Sequence, residues 1–176
     1  AKCDPNAPTS LFVFKTSMEP HIGEVSYFKV ISGKVKEGDD LTNINNSTKE
    51  RLSQLYLVAG RNRERVSELI AGDIGATVKL KNTKNNHTLN CKDCDFTYKE
   101  IEFPEPKFRT AVKAKDEGDE EKLGELLHRI HEEDPTILIE YSKELKQILL
   151  HGQGEFHMNT LRWRLLHNDK MEIEFM

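Results

Sequence analysis

Two prolines separated by one residue, in Phe103-Pro104-Glu105-Pro106, interrupt the chain. Each ring fixes its own φ and removes a backbone donor, and each pushes the residue before it toward an extended conformation. Neither a helix nor an interior sheet strand runs through such a point. The expected domain break therefore falls near residues 96–106, with one domain over 1–98 and a second over 99–176. A chain of 176 residues suffices for two small domains, and an apolar share of 36% is low but enough for two compact cores.

The first stretch has the period of β structure. Leu11-Phe12-Val13-Phe14 opens a strand. In Glu24 to Ile31, the residues Val25, Tyr27, Lys29 and Ile31 alternate with Ser26, Phe28 and Val30, so both faces are largely apolar and the strand reads as buried on both sides. Further strands are expected at Leu41 to Ile44, Arg51 to Val58, Val66 to Ile70 and Ile74 to Leu80, separated by glycine-containing turns. That spacing predicts a small closed barrel. Asn82 to Tyr98 is polar and reads as the end of the barrel and a connection.

The second stretch alternates between two periods. Phe108, Thr110, Val112 and Ala114 share one face of a strand. Leu123, Leu126, Leu127 and Ile130 give a helical stripe, with Asp119 as its expected N-cap and Asp134-Pro135 as its stop. Ile137 to Tyr141 and Lys146 to Leu150 are strands. A helix from Glu155 to His167 buries Met158, Leu161 and Leu165, and Met171, Ile173 and Phe175 alternate in a last strand. The order β-α-β-β-α-β is the ferredoxin-like arrangement, an α+β domain.

A strand–turn–helix joint, His151-Gly152-Gln153-Gly154-Glu155-Phe156-His157, links the fourth and fifth segments of that stretch. Gly152 and Gly154 are expected where side chains would clash. Glu155 falls in the first helical turn, where the dipole favours a negative charge.

Charge is unevenly divided. Residues 1–95 carry 14 Lys and Arg against 12 Asp and Glu, whereas residues 96–176 carry 12 against 18. A dedicated nucleic-acid binder would be more basic overall, so any RNA contact belongs to a local patch in the first half. Arg61-Asn62-Arg63-Glu64-Arg65 is the densest basic cluster, with its arginines on one side of an extended segment. Either it is a solvated turn, or its guanidinium forks contact phosphate.

Three cysteines, an odd number, argue against a disulfide framework and fit a reducing cytoplasm. Cys91-Lys92-Asp93-Cys94 lacks a second ligand pair for zinc and does not precede a helix as a redox motif should, so it reads as two free thiols in a loop. His128 and His131 stand one helical turn apart but form an incomplete ligand set, and no metal or organic cofactor is expected in this chain. There is no G-x-x-x-x-G-K-[ST] phosphate loop. A small hydrolase pairing Glu155 with His157 would lack a nucleophile, and a generic protein-interaction module is a further alternative. No run approaches the ~18 apolar residues of a membrane span. Both chain ends read as cut edges of a longer protein.

Several of these strings are familiar together. Met18-Glu19-Pro20-His21-Ile22-Gly23-Glu24, Phe28-Lys29-Val30-Ile31-Ser32-Gly33 and Val66-Ser67-Glu68-Leu69-Ile70-Ala71-Gly72-Asp73-Ile74 resemble domain II of elongation factor G. Phe103-Pro104-Glu105-Pro106, Glu132-Glu133-Asp134-Pro135 and Gly152-Gln153-Gly154-Glu155-Phe156-His157 resemble landmarks of its domain III. The resemblance runs in order through nearly the whole chain. It departs in three places: the family usually has arginine where Lys29 stands, glycine where Lys79 stands, and Gly-Asp where Asn86-His87 stand. An altered last strand of domain II, or an altered turn, is expected there.

The resemblance implies an all-β translation-factor barrel followed by the ferredoxin-like domain, from a cytoplasmic, monomeric translational GTPase that moves tRNA and mRNA on the ribosome. Its GTPase domain, with GTP and magnesium, would precede this chain, and C-terminal domains would follow. Domain II would touch small-subunit ribosomal RNA, with Lys29, Arg61, Arg63 and Arg65 as the contacts. Domain III would touch a small-subunit ribosomal protein, with Gly152, Gly154, Glu155 and His157 as an interdomain coupling turn. Ribosomal protection proteins of the tetracycline-resistance type share both domains.

Overall fold

The computed structural model describes residues 3–176 apart from Pro20, Arg61 and Lys146 and the side chain of Glu117. The chain divides into two compact units, Ala1–Ile101 and Glu102–Met176. The first unit contains β1 (Ser10–Glu19), β2 (Gly23–Ser32), β3 (Lys34–Lys36), β4 (Asp40–Asn43), β5 (Thr48–Arg51), β6 (Leu55–Ala59), β7 (Asn62–Val66), β8 (Glu68–Ile70), β9 (Ile74–Val78) and β10 (Thr88–Asn90). Eight of them form one sheet in the order β5-β4-β10-β1-β2-β9-β6-β7, and β3 pairs with β8. They wrap a single core in which Leu11, Val13, Phe28, Val30, Leu55 and Leu89 are fully buried. Burying a side chain the size of Phe28 stabilises the fold by about 1.5–3 kcal/mol. A second, smaller cluster forms around Val25, Ala76 and Val78, against which Tyr27, Tyr56 and Val58 pack.

The segment expected to be a mere connection holds a strand in the middle of this sheet. β10 lies between β1 and β4, and Thr88, Leu89 and Asn90 are all buried. Its polarity hides it because its polar groups are satisfied internally. Ser10 Oγ donates to Asn90 Oδ1 at 2.5 Å. The residues that follow then fold back as a strap along β10, pinned by side chains. Asn90 Nδ2 donates to the carbonyls of Cys94 and Phe96, the Tyr98 N–H donates to Thr88 Oγ1, and Asn86 exchanges two hydrogen bonds with the backbone of Ile101. Tyr98 also meets Phe12 and Phe96 edge-on. These bonds carry the first unit to Ile101, three residues past the expected boundary at residue 98.

A buried polar network holds the preceding loop. Glu50 is 3% exposed, and its carboxylate accepts from the Lys81 and Asn82 N–H groups and from Thr83 Oγ1. Asn43, on β4, donates from its amide to Thr83 Oγ1 and to His87 Nδ1, which also accepts the Lys84 N–H. Burial, and then the positive charge of Lys84, hold His87 below the ordinary histidine range.

The second unit contains β11 (Phe108–Ala114), α1 (Glu120–Glu133), β12 (Leu138–Ser142), β13 (Gln147–Gly152), α2 (Glu155–Asp169) and β14 (Ile173–Phe175). All its strand pairs are antiparallel, in the order β12-β13-β11-β14. Leu123, Leu127 and Ile130 from α1 and Met158, Leu161 and Leu165 from α2 share one core with Val112, Ala114, Leu150 and Ile173 of the strands. This is the ferredoxin-like arrangement expected from the alternating periods. The start of α1 differs in detail. A single turn of 3-10 helix, Glu117–Asp119, precedes it, and Asp116 rather than Asp119 supplies the capping oxygen, accepting from the Gly118 N–H. No helix among the described residues is long and apolar enough to cross a membrane.

Lys79 and Asn86 both adopt left-handed backbone conformations, with φ of 63° and 69°. A side chain in that region costs roughly 1–2 kcal/mol, least for asparagine. Lys79→Gly is therefore expected to stabilise the chain by about 1 kcal/mol in urea unfolding, and Asn86→Gly, which also removes the pin to Ile101, is expected to give no such gain. Acidity acts in the opposite sense on His87. Its folded pKa lies below the unfolded value near 6.5, so its contribution is present above that value and is lost as pH falls through the folded pKa. Thermal unfolding followed from neutral to acidic pH should show this loss, and His87→Asn should flatten it.

Candidate functional site

On the barrel, β-sheet alternation sets one outer face. Tyr27 on β2, Ala76 on β9, Tyr56 on β6 and Arg65 on β7 lie in one cross-strand row. Lys29 is two residues from Tyr27, and Arg63 is two from Arg65, so both cations share that face. The structure thus brings Lys29, Arg63 and Arg65 together on one side of the sheet; Arg61 lies outside the described residues. The two arginines are not free. Arg63 Nη2 is 2.5 Å from Glu19 Oε2, and Tyr27 Oη donates to the other oxygen of the same carboxylate at 2.9 Å. Arg65 makes a forked pair with Glu37, at 2.7 and 3.3 Å. These hydrogen bonds raise both guanidinium pKa values. Burial, then the bond to Glu19, raises the Tyr27 hydroxyl above its ordinary value. Lys29 is exposed and has no partner among the described residues.

The glycine joint of the second unit is built from three separated stretches. α2 starts at Glu155, directly after Gly154, as its sequence position predicts. His157, in the first turn, reaches back so that its Nδ1 accepts the Gln153 N–H at 3.2 Å. This leaves Nε2 to donate to Asp134 Oδ2, 3.3 Å away, at the C-terminal end of α1. Asp134 Oδ1 in turn accepts from the N–H and hydroxyl of Thr136, which shapes the Asp134-Pro135 stop. On the other side, Gln153 Nε2 donates to the carbonyls of Pro104 and Glu105, and the Gly152 carbonyl accepts the Lys107 N–H. The Phe103–Pro106, Glu132–Pro135 and Gly152–His157 strings therefore meet at one place.

That convergence bears on the rival Glu155–His157 pairing and on the two glycines. His157 does not pair with the exposed Glu155 for acid–base work, because both its ring nitrogens are engaged elsewhere. The two glycines are also unequal. A Cβ on Gly152 would come within 2.2 Å of the buried Met158 Cε and 3.1 Å of His157 Nδ1, whereas one on Gly154 would meet nothing within 4 Å. Gly154 has φ 165° and ψ 176°, extended backbone open to any residue. Of the two histidines on α1, His131 donates from Nδ1 to the Ile137 carbonyl at 2.6 Å and so ties the helix to the segment before β12. Among the described residues no three histidine, cysteine or acidic side chains cluster as a metal site. The arrangement around the joint holds a turn, a helix end and the proline segment together.

Family models match both units in order. Residues 8–92 match "Elongation factor G domain 2" and residues 103–176 match "Elongation Factor G, domain III". The chain belongs to the elongation factor G family. It is 36% identical over 170 residues to elongation factor G 2 of Syntrophomonas wolfei subsp. wolfei, a match covering 97% of this chain and 24% of that protein. A crystal structure from Thermus thermophilus superposes with a TM-score of 0.84 at 30% identity, over 97% of this chain and 26% of that one. The chain thus spans about a quarter of the length of these relatives. Lys79 and Asn86, two positions where the resemblance led to an expectation of glycine, are left-handed, the conformation in which glycine is unstrained.

Two substitutions separate the glycines. Gly152→Ala should destabilise the second unit by about 1–3 kcal/mol, through overpacking against Met158. Gly154→Ser should be neutral or stabilising by only a few tenths of a kcal/mol, because it places a capping hydroxyl in open space at the start of α2. Denaturant midpoints of the two variants check this.

Proposed function

We propose that this chain is the ribosome-binding and coupling part of a translational GTPase of the elongation factor G family, one that promotes GTP-dependent movement of tRNA and mRNA. The observation that carries the reading is the ordered match to two consecutive domains of that factor. In this reading the barrel lays its Lys29, Arg63 and Arg65 face against small-subunit ribosomal RNA. The second unit suits a basic small-subunit ribosomal protein, because residues 102–176 carry 17 acidic against 11 basic side chains. The joint at Gly152–His157 acts by rigidity. It fixes the start of α2 to β13, to the end of α1 and to the proline segment, so displacement of one is passed to the others. In this reading GTP and magnesium are held by a nucleotide domain of the same protein, since this sequence carries no G-x-x-x-x-G-K-[ST] phosphate loop. The factor works as a monomer.

Binding of the purified chain to small ribosomal subunits, measured against salt concentration, tests the barrel face. Each phosphate contact removed should lower the slope of log affinity against log salt by about one unit. Lys29→Ala should give that change by itself. Arg63→Ser and Arg65→Ser are expected to act less, because each also releases a carboxylate partner. An unchanged slope in the triple variant would remove this face from the interface.

A further inference from the structure

Cys91 and Cys94, read from sequence as two independent thiols, touch each other in the structure. Their sulfur atoms are 3.4 Å apart, and neither is in a disulfide. We infer that they form a reversible dithiol–disulfide site that fixes the start of the strap running from Cys94 to Ile101.

The backbone already has the shape the bond requires. The Cys94 N–H donates to the Cys91 carbonyl at 3.2 Å, which closes a four-residue turn. Such turns hold their end Cα atoms less than about 7 Å apart, and disulfides span Cα separations of about 4.4–6.8 Å. Both ends of the turn are anchored from outside it. The Cys91 N–H donates to the Thr9 carbonyl at 2.9 Å, and the Cys94 carbonyl accepts from the buried Asn90 amide at 3.3 Å. Bond formation then asks only for side-chain rotation that brings the sulfurs from 3.4 Å to about 2.05 Å. Both thiols are half-buried, whereas Cys3 is exposed. Zinc is disfavoured as an alternative occupant, since no third ligand joins the pair among the described residues.

The oxidant is a low-molecular-weight disulfide. The Cys91 thiolate attacks one of its sulfurs, forming a mixed disulfide and expelling one thiolate. Cys94 then loses its proton and attacks the Cys91 sulfur, expelling the second thiol. Two protein thiols become one disulfide, and one external disulfide becomes two thiols. We take Cys91 as the attacking sulfur because the hydrogen bond between the two thiols, and then burial, hold the Cys94 thiol above the ordinary cysteine range.

The strap gives the bond its structural consequence. Asn90 holds the Cys94 and Phe96 carbonyls with a single amide group, and further hydrogen-bonded pins come at Tyr98 and Ile101. Locking Cys94 to Cys91 removes the freedom of the strap's first residue.

The test uses the full chain with Cys3→Ser, equilibrated in glutathione redox buffers of rising oxidised fraction. Intact mass should show loss of two hydrogen atoms without added glutathione, both thiols should resist alkylation, and dithiothreitol should restore them. Adding Cys94→Ser should leave a stable glutathione adduct on Cys91, whereas Cys91→Ser should react more slowly. Amide exchange at Tyr98 and Ile101 should slow in the oxidised form. A chain that stays reduced in the most oxidising buffer, or that accumulates adducts on both thiols, overturns the site. A disulfide that leaves exchange along the strap unchanged overturns its link to the strap.

Discussion

His157 is bonded at both ring nitrogens, to the Gln153 N–H and to Asp134, and that bridge joins stretches of the second unit that lie far apart in sequence. The imidazole satisfies the backbone donor of Gln153 in the turn before α2, while its other edge ties the end of α1. Gln153 extends the same tie to Pro104 and Glu105. Met158, one residue on, fills the space that the absent Gly152 side chain leaves. Removing the ring would unfasten a turn and a helix end at once, although the two are not adjacent in sequence.

The first unit is organised by carboxylates in a similar way. Glu50 gathers three donors from the loop after β9, where an unpaired buried charge would cost several kcal/mol. Glu19 and Glu37 each hold an arginine of β7. The barrel's outer face therefore carries less positive charge than its arginines suggest. A phosphate arriving there would compete with a carboxylate already in place, whereas Lys29 offers its charge without such competition.

The parts of the fold that rest on local periodicity were legible in the sequence. The Leu123, Leu126, Leu127, Ile130 stripe gave α1 its buried face, and the alternation in Phe108–Ala114 gave β11 its core side. The three strings at the joint were visible too, but their meeting was not, because pairings across 23 and 49 residues leave no local trace. The same holds for Arg63 and Arg65, whose partners lie 44 and 28 residues away. β10 was missed because Thr88 and Asn90 look like loop residues and are buried only because their side chains are hydrogen-bonded. Gly152 and Gly154 look alike in sequence. What separates them is the Met158 side chain in the first turns of α2.

The strap along β10 is attached through the side chains of Asn86, Thr88 and Asn90, not through a backbone ladder. A strand paired through its backbone tolerates almost any residue that fits the sheet. The strap's hold is inherited residue by residue, and drift at one of three positions loosens it by one notch while β10 keeps its own pairing to β1 and β4. The grip of the barrel on the chain that leaves it is thus a graded trait, adjustable by single substitutions without rebuilding the barrel.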